Sequence, residues 1–173
     1  MTYEEARKYI NDGDIIFIRG EKKFLKNPIR SSIMFFTNSV YVHTGIVFWA
    51  NIAGHKHLLI TEAQGGTSRR IVNMSFYETE NIDVMEPLKE WNDISTDAVE
   101  KLGKVKYGWM DAFYVGLREK FYKIPFKPKN FSGEICSERV ANLQGITPSE
   151  ISPQKLYEIL LKNGKKIKLQ IRK

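Results

Sequence analysis

One residue of this sequence, Cys136, could act as a nucleophile through sulfur, and one histidine, His43, is placed to act as its base. Cys136 falls in the first turn of a predicted helix, where the helix dipole and free backbone N–H groups stabilise a thiolate. His43 lies within a predicted strand, whereas His55 and His57 flank a predicted turn. These residues indicate acyl transfer by a cysteine nucleophile. The alternative is a small buried side chain, as free cysteines commonly are.

A carboxylate, Glu62, is predicted to lie beside His43. Residues 40–49 and 57–63 are β-branched and aromatic, which predicts the two strands of a hairpin. A turn centred near residues 52–53 places His43 roughly opposite Glu62 or its neighbour, with cross-strand Cβ atoms about 5 Å apart. A carboxylate in that position orients the imidazole and stabilises the imidazolium. The alternative is a partly exposed ion pair between two strands.

The cysteine and histidine content argues against disulfide and metal chemistry. A single cysteine excludes an internal disulfide and a thiolate zinc cluster. The three histidines have no further ligands at a suitable spacing, so we expect no metal site and no cofactor.

The elements that must position these side chains indicate an α+β protein. The strands predicted at 40–49, 57–63, 70–72 and 82–85 are expected to form an antiparallel meander. Helices are predicted at residues 2–13, 27–36, 96–102, 109–121, from 132–133 onward and at 153–161, and strands at 14–19, 40–49, 57–63, 70–72, 82–85 and 166–172. In the last strand, Ile167, Leu169 and Ile171 are expected to be buried on one face.

The length of the chain indicates the number of domains, and its charge distribution indicates the kind of binding partner. The 173 residues are enough for one domain, predicted to span 1–173. Residues 101–173 carry 16 basic and 6 acidic side chains, whereas the first 100 carry 11 and 14. This bias suits an anionic surface such as cell wall or phospholipid, with nucleic acid the less favoured partner.

No segment of the sequence is typical of a membrane span or a secretory signal. The longest apolar run, Ile46–Ala50, is far shorter than the ~20 residues that a spanning helix needs. The first residues are acidic and lack an apolar stretch before a cleavage site. We therefore expect a cytoplasmic protein, with delivery by a phage particle or a dedicated secretion system left open.

Several motifs, taken in order and spacing, resemble the YiiX-like, circularly permuted branch of NlpC-type papain-like cysteine hydrolases. The segments that carry the resemblance are Gly13–Phe17, Thr37–Val47, Thr61–Ala63, Ile82–Pro87, Tyr107 and Ile135–Val140. Two positions depart from the family pattern, since Gly108 stands where aspartate is usual and Arg139 where an apolar residue is common.

The resemblance implies a papain-like fold in which an antiparallel sheet or partial barrel packs against helices. It also implies the roles of five residues. Cys136 is the nucleophile at a helix N-terminus, His43 the general base, Glu62 the third polar residue, and Tyr107 and Tyr41 bind substrate.

Together these features predict a cysteine-dependent hydrolase or acyltransferase that cleaves an amide or ester bond through a thioester. A cell-wall peptide and a lipid or acyl substrate both fit. The competing hypothesis is a non-catalytic papain-like module that binds lipid or another anionic partner. The enzyme hypothesis requires Cys136 Sγ to lie within about 4 Å of His43.

Overall fold

The computed structural model describes residues 1–20, 39–64, 69–100, 102–103, 108, 115, 118, 134–147 and 151–173. The helix predicted at 27–36 and Tyr107 lie outside this part of the chain, as does the helix predicted at 109–121 apart from positions 115 and 118. Within it, the predicted α+β class is confirmed, because a six-stranded antiparallel sheet is combined with four α-helices.

Most predicted elements are present, with shifted ends. The strands are β1 (Ile15–Arg19), β2 (Tyr41–Ile52), β3 (His55–Ala63), β4 (Arg69–Asn73), β5 (Ile82–Met85) and β6 (Ile167–Ile171). The α-helices are α1 (Tyr3–Ala6), α2 (Trp91–Val99), α3 (Cys136–Leu143) and α4 (Pro153–Lys162), and 3-10 turns occupy Arg7–Tyr9 and Met74–Tyr77. Helix α2 begins earlier than predicted, at Trp91, whose ring stacks on Phe48 with ring centroids 4.6 Å apart.

The strand order is β4-β3-β2-β1-β5-β6. Strands β2, β3 and β4 form the predicted meander, but its extension to β5 is wrong, because β5 pairs with β1 and β6. All four residues of β5 are buried. A strand that is covered in this way fits between two neighbours rather than at the end of a meander.

The sheet is covered on both faces, and β1 shows why. Its residues alternate between two hydrophobic cores, with Ile16 and Ile18 in one and Ile15 and Phe17 in the other. The first core contains the buried side chains of the N-terminal segment, Tyr3, Ala6 and Ile10. The second core contains buried side chains from α2, α3 and α4, namely Ile94, Ala98, Val140, Ala141, Leu143, Leu156 and Leu160.

The hairpin between β2 and β3 turns at Ala53 and Gly54, whose φ angles are 51° and 81°. Two positive φ angles are the signature of a tight two-residue hairpin turn, so both strands extend further than predicted. The turn lies one residue beyond the predicted centre, which changes every cross-strand partner by two positions. The observed pair Ile46–Thr61, continued by one residue, therefore places Glu62 opposite Gly45. Side chains alternate between the two faces of a sheet, so a shift of two positions leaves Glu62 and His43 on the same face.

An irregularity at the start of β2 separates two nearby side chains. His43 pairs with Ile18 of β1, whereas Tyr41 pairs with Arg19, so one extra residue lies between them on β2. Such a bulge changes the face to which the following side chains point. Tyr41 consequently belongs to the second core, while His43 lies on the face of the first.

The C-terminal strand β6 differs from the prediction in one respect. Leu169 and Ile171 lie in the first core, as predicted, but Ile167 packs against the second. The prediction for Ile167 is wrong because the pairing with β5 shifts by one residue between Val84 and Met85. No α-helix in the described ranges has both the length and the apolar character needed to cross a membrane.

Gly45 gives the fold a testable constraint. A Cβ atom at this position would lie 2.6 Å from Ile60 Cδ1 and 3.0 Å from the Thr61 carbonyl oxygen. We expect Gly45→Ala to lower the free energy of unfolding by about 1–3 kcal/mol in urea denaturation, because the neighbours of the new methyl group must move. Asn51→Ala, at an exposed position of the same strand, should change it by less than about 0.5 kcal/mol. Equal stabilities for the two variants would contradict the close packing at Gly45.

Candidate active site

The imidazole of His43 makes a short contact with the carboxylate of Glu62. The distance from His43 Nε2 to Glu62 Oε2 is 2.7 Å, and both residues are buried. The two side chains come from adjacent strands and share a face, so backbone pairing fixes their separation. The structure therefore brings together the histidine and the carboxylate that the sequence analysis singled out.

Glu62 has two further donors that the sequence analysis missed. Arg70 Nε donates to Glu62 Oε1 at 2.8 Å, and the Tyr77 hydroxyl lies 3.0 Å and 2.8 Å from the two carboxylate oxygens. Arg70 stands directly opposite Glu62 on β4, which a register prediction for β3 and β4 could have shown. Tyr77 ends a 3-10 turn, and no sequence motif indicates that its hydroxyl points back to β3.

Cys136 is the first residue of α3 and interacts with His43. Its side chain is hydrogen-bonded to His43 and is 4% exposed. The helix begins here because Glu138 turns back to accept a hydrogen bond from the Ile135 N–H at 3.0 Å. The Ser137 hydroxyl donates to the Ile151 carbonyl at 2.5 Å and ties the same turn to the segment before α4.

The contacts of His43 favour its charged form. Burial by itself would lower the pKa of His43, but the negative charges of Cys136 and Glu62 and the hydrogen bonds to both outweigh burial and raise that pKa to about 10. Burial also disfavours the charged form of Glu62, which for a carboxyl group means a raised pKa. The positive charge of His43 and hydrogen bonds from His43, Tyr77 and Arg70 instead hold the pKa of this carboxyl below its ordinary value. The arrangement is that of an imidazolium in contact with the Cys136 side chain and the Glu62 carboxylate.

Of the two tyrosines predicted to bind substrate, Tyr41 lies among the described residues and is 1% exposed. The Tyr41 hydroxyl donates to Asp83 at 2.5 Å, and its ring packs against Phe17 and Tyr157. The bulge in β2 turns Tyr41 into the second core, and its role in substrate binding stays a prediction. Tyr107 lies outside the described residues.

His55 and His57 lie in the first residues of β3, next to the hairpin turn, where His55 is exposed and His57 is partly buried. Across the described ranges, no three His, Cys, Asp or Glu side chains are grouped so that they could hold a metal ion.

Comparison of the chain with protein-family models and with curated proteins found no match.

The charged pair predicts how stability depends on pH. His43 has a raised pKa, so its contribution is full below its ordinary value of 6.5 and is lost as the pH rises through about 10. Glu62 has a lowered pKa, so its contribution is present above its ordinary value of 4.5 and is lost at lower pH. The stability that wild type has in excess of Glu62→Gln should therefore be largest between about pH 4.5 and 6.5 and should decline toward pH 10.

Urea unfolding of both proteins across this pH range measures the difference. Near pH 6 we expect Glu62→Gln to cost about 3 kcal/mol, because the substitution leaves buried donors facing a neutral group. A difference that is constant with pH would contradict the ion pair.

Proposed function

We propose that this chain is a cysteine-dependent hydrolase or acyltransferase that acts on an amide or ester bond. The observation that carries the proposal is the sequence of contacts from Cys136 to His43 and from His43 Nε2 to the buried Glu62 carboxylate. A thiol, an imidazole and a carboxylate in this order are the parts of a nucleophilic triad. A buried thiol without a catalytic role does not need a base that is itself held by a carboxylate.

In the first step, the Cys136 thiolate attacks the substrate carbonyl carbon and a C–S bond forms. Because Glu62 occupies His43 Nε2, we assign Nδ1 as the ring nitrogen that exchanges a proton at the thiol side. The Nδ1 proton passes to the leaving nitrogen or oxygen as the C–N or C–O bond breaks, which leaves a thioester and a neutral imidazole.

In the second step, water or another acceptor attacks the thioester. His43 takes the proton of the acceptor, the C–S bond breaks, and the thiolate–imidazolium pair is restored. Both steps pass through an oxyanion. The backbone N–H of Cys136, in the first turn of α3, is the donor we assign to it, since N–H groups at a helix start have no partner within the helix.

The resemblance to permuted NlpC-type papain-like hydrolases agrees with this assignment. The histidine and carboxylate come from adjacent antiparallel strands early in the chain, and the cysteine begins a later helix. We therefore propose a papain-like fold in its permuted form, supported by chain order and by the placement of the three residues.

The substrate class proposed is a cell-wall peptide or a lipid or acyl compound. The excess of basic residues after position 100 supports an anionic surface as the place of action. A module that binds lipid without turnover has the same charge but does not require a reactive thiol, so reactivity separates the two functions.

The test is alkylation of the single cysteine by iodoacetamide, followed by mass spectrometry. We expect Cys136 of the folded protein to react at pH 7, and His43→Gln to slow the reaction by a factor of about 100, because the thiolate loses its cationic partner. His55→Gln, which changes an exposed histidine of β3, is the matched control and should leave the rate unchanged.

The opposite outcome has a distinct signature. If labelling occurs at the rate of global unfolding and accelerates with urea, Cys136 is a structural thiol and the enzyme proposal is wrong. If His43→Gln and His55→Gln react at the wild-type rate, the thiol does not depend on His43.

A further inference from the structure

Strand β4 carries two adjacent arginines, Arg69 and Arg70, whose side chains point to opposite faces of the sheet. Arg70 donates to Glu62, the carboxylate that holds the base. Arg69 reaches a different carboxylate, that of Glu134, which precedes the nucleophile by two residues. One dipeptide on an edge strand therefore contacts both the carboxylate of the proposed triad and a residue two positions before its nucleophile.

The contact between Arg69 and Glu134 is bidentate. Arg69 Nε donates to Glu134 Oε2 at 2.7 Å, and Arg69 Nη2 donates to Oε1 at 3.0 Å. The two side chains are 16% and 10% exposed, so solvent screens the pair weakly. Two parallel hydrogen bonds fix orientation as well as distance. The backbone that leads into Cys136 is thereby held against β4.

Arg139 adds a second connection from the same carboxylate to β3. This residue lies three positions after Cys136, and its Nη1 is 3.7 Å from Glu134 Oε2. Its Nη2 donates to Thr61 Oγ1 at 3.3 Å and to the Ala98 carbonyl oxygen. Thr61 is the residue before Glu62, so this connection also ends beside the carboxylate of the triad.

The burial of Arg139 is energetically costly. The side chain is 2% exposed, and burial together with the charge of Arg69 lowers its pKa to about 10, although Glu134 opposes the change. An apolar residue would fill this position in a helix that packs against a sheet without that cost. Two arginines on one carboxylate are therefore a specific arrangement rather than ordinary core packing.

We infer that Arg69, Glu134 and Arg139 form a clamp that positions Cys136 against His43. The inference rests on the proposed function, since a clamp on the nucleophile has meaning only if the thiol reacts. None of the three side chains transfers a proton or forms a bond with substrate, so they are positioning residues. A displacement of about 1 Å in a reacting group can lower a rate by a factor of about 100, which is why the helix start must be fixed.

The test compares Arg69→Gln with a matched arginine at the opposite edge of the sheet. Arg172 Nη2 lies 2.6 Å from the buried carboxylate of Asp83, and β6 is the edge strand there. Each variant removes one arginine from one buried carboxylate. The readouts are the pH profile of Cys136 alkylation by iodoacetamide and the urea midpoint.

We expect Arg69→Gln to slow alkylation at pH 7 by about tenfold and to move its pH profile upward, because a displaced thiolate loses contact with the imidazolium. Arg172→Gln should shift the urea midpoint and leave the alkylation profile of wild type unchanged. Arg69→Lys keeps the charge but cannot form the bidentate contact, so we expect a smaller change in the same direction. This variant also tests the clamp if Arg69→Gln fails to fold.

Wild-type profiles in both Arg69 variants would overturn the clamp while leaving the proposed function intact, provided that wild type reacts at neutral pH. Equal profile changes in Arg69→Gln and Arg172→Gln would also overturn it, because the effect would then be one of general stability. A wild-type thiol that does not react when folded would overturn the proposed function and the clamp together.

Discussion

The buried carboxylate of Glu62 is the interaction on which the rest of the site depends. A carboxylate that is 1% exposed is costly unless its oxygens are fully hydrogen-bonded. Three groups from three elements meet this requirement, namely His43 of β2, Arg70 of β4 and Tyr77 of the 3-10 turn after β4. Because each donor also needs a fixed partner, the carboxylate holds these elements in one geometry, and the charge of His43 is a consequence of that geometry.

Alternation along the strands allows the same backbone to serve the base and the nucleophile. On β3, Thr61 faces Arg139 and its neighbour Glu62 faces His43. On β4, Arg69 faces Glu134 and its neighbour Arg70 faces Glu62. Contacts with β3 and β4 therefore fix the position of α3 as well as that of the His43 imidazole. A shift of one residue in either strand would exchange these partners and destroy both halves of the site.

The sequence predicts the contact between His43 and Glu62 because strand periodicity survives an error of one residue in the turn. The turn lies at Ala53 and Gly54 rather than one residue earlier, yet the face is conserved. Local patterns could not predict the bulge that turns Tyr41 away, or the pairing of β5 with β1, because both depend on contacts between distant segments. Nor does any sequence motif indicate the hydrogen bond from Tyr77 to Glu62, because the 3-10 turn after β4 brings the two residues together.

We propose that His43 is an imidazolium stabilised by Cys136 and Glu62, and an NMR titration of its ring tests this most directly. With three histidines in the chain, the resonances can be assigned by single substitutions. We expect His43 to titrate near pH 10 in wild type and at clearly lower pH in Cys136→Ala, because the charge of Cys136 is one cause of the raised pKa. A wild-type ring that titrates near its ordinary value of 6.5, unchanged in Cys136→Ala, would contradict the account.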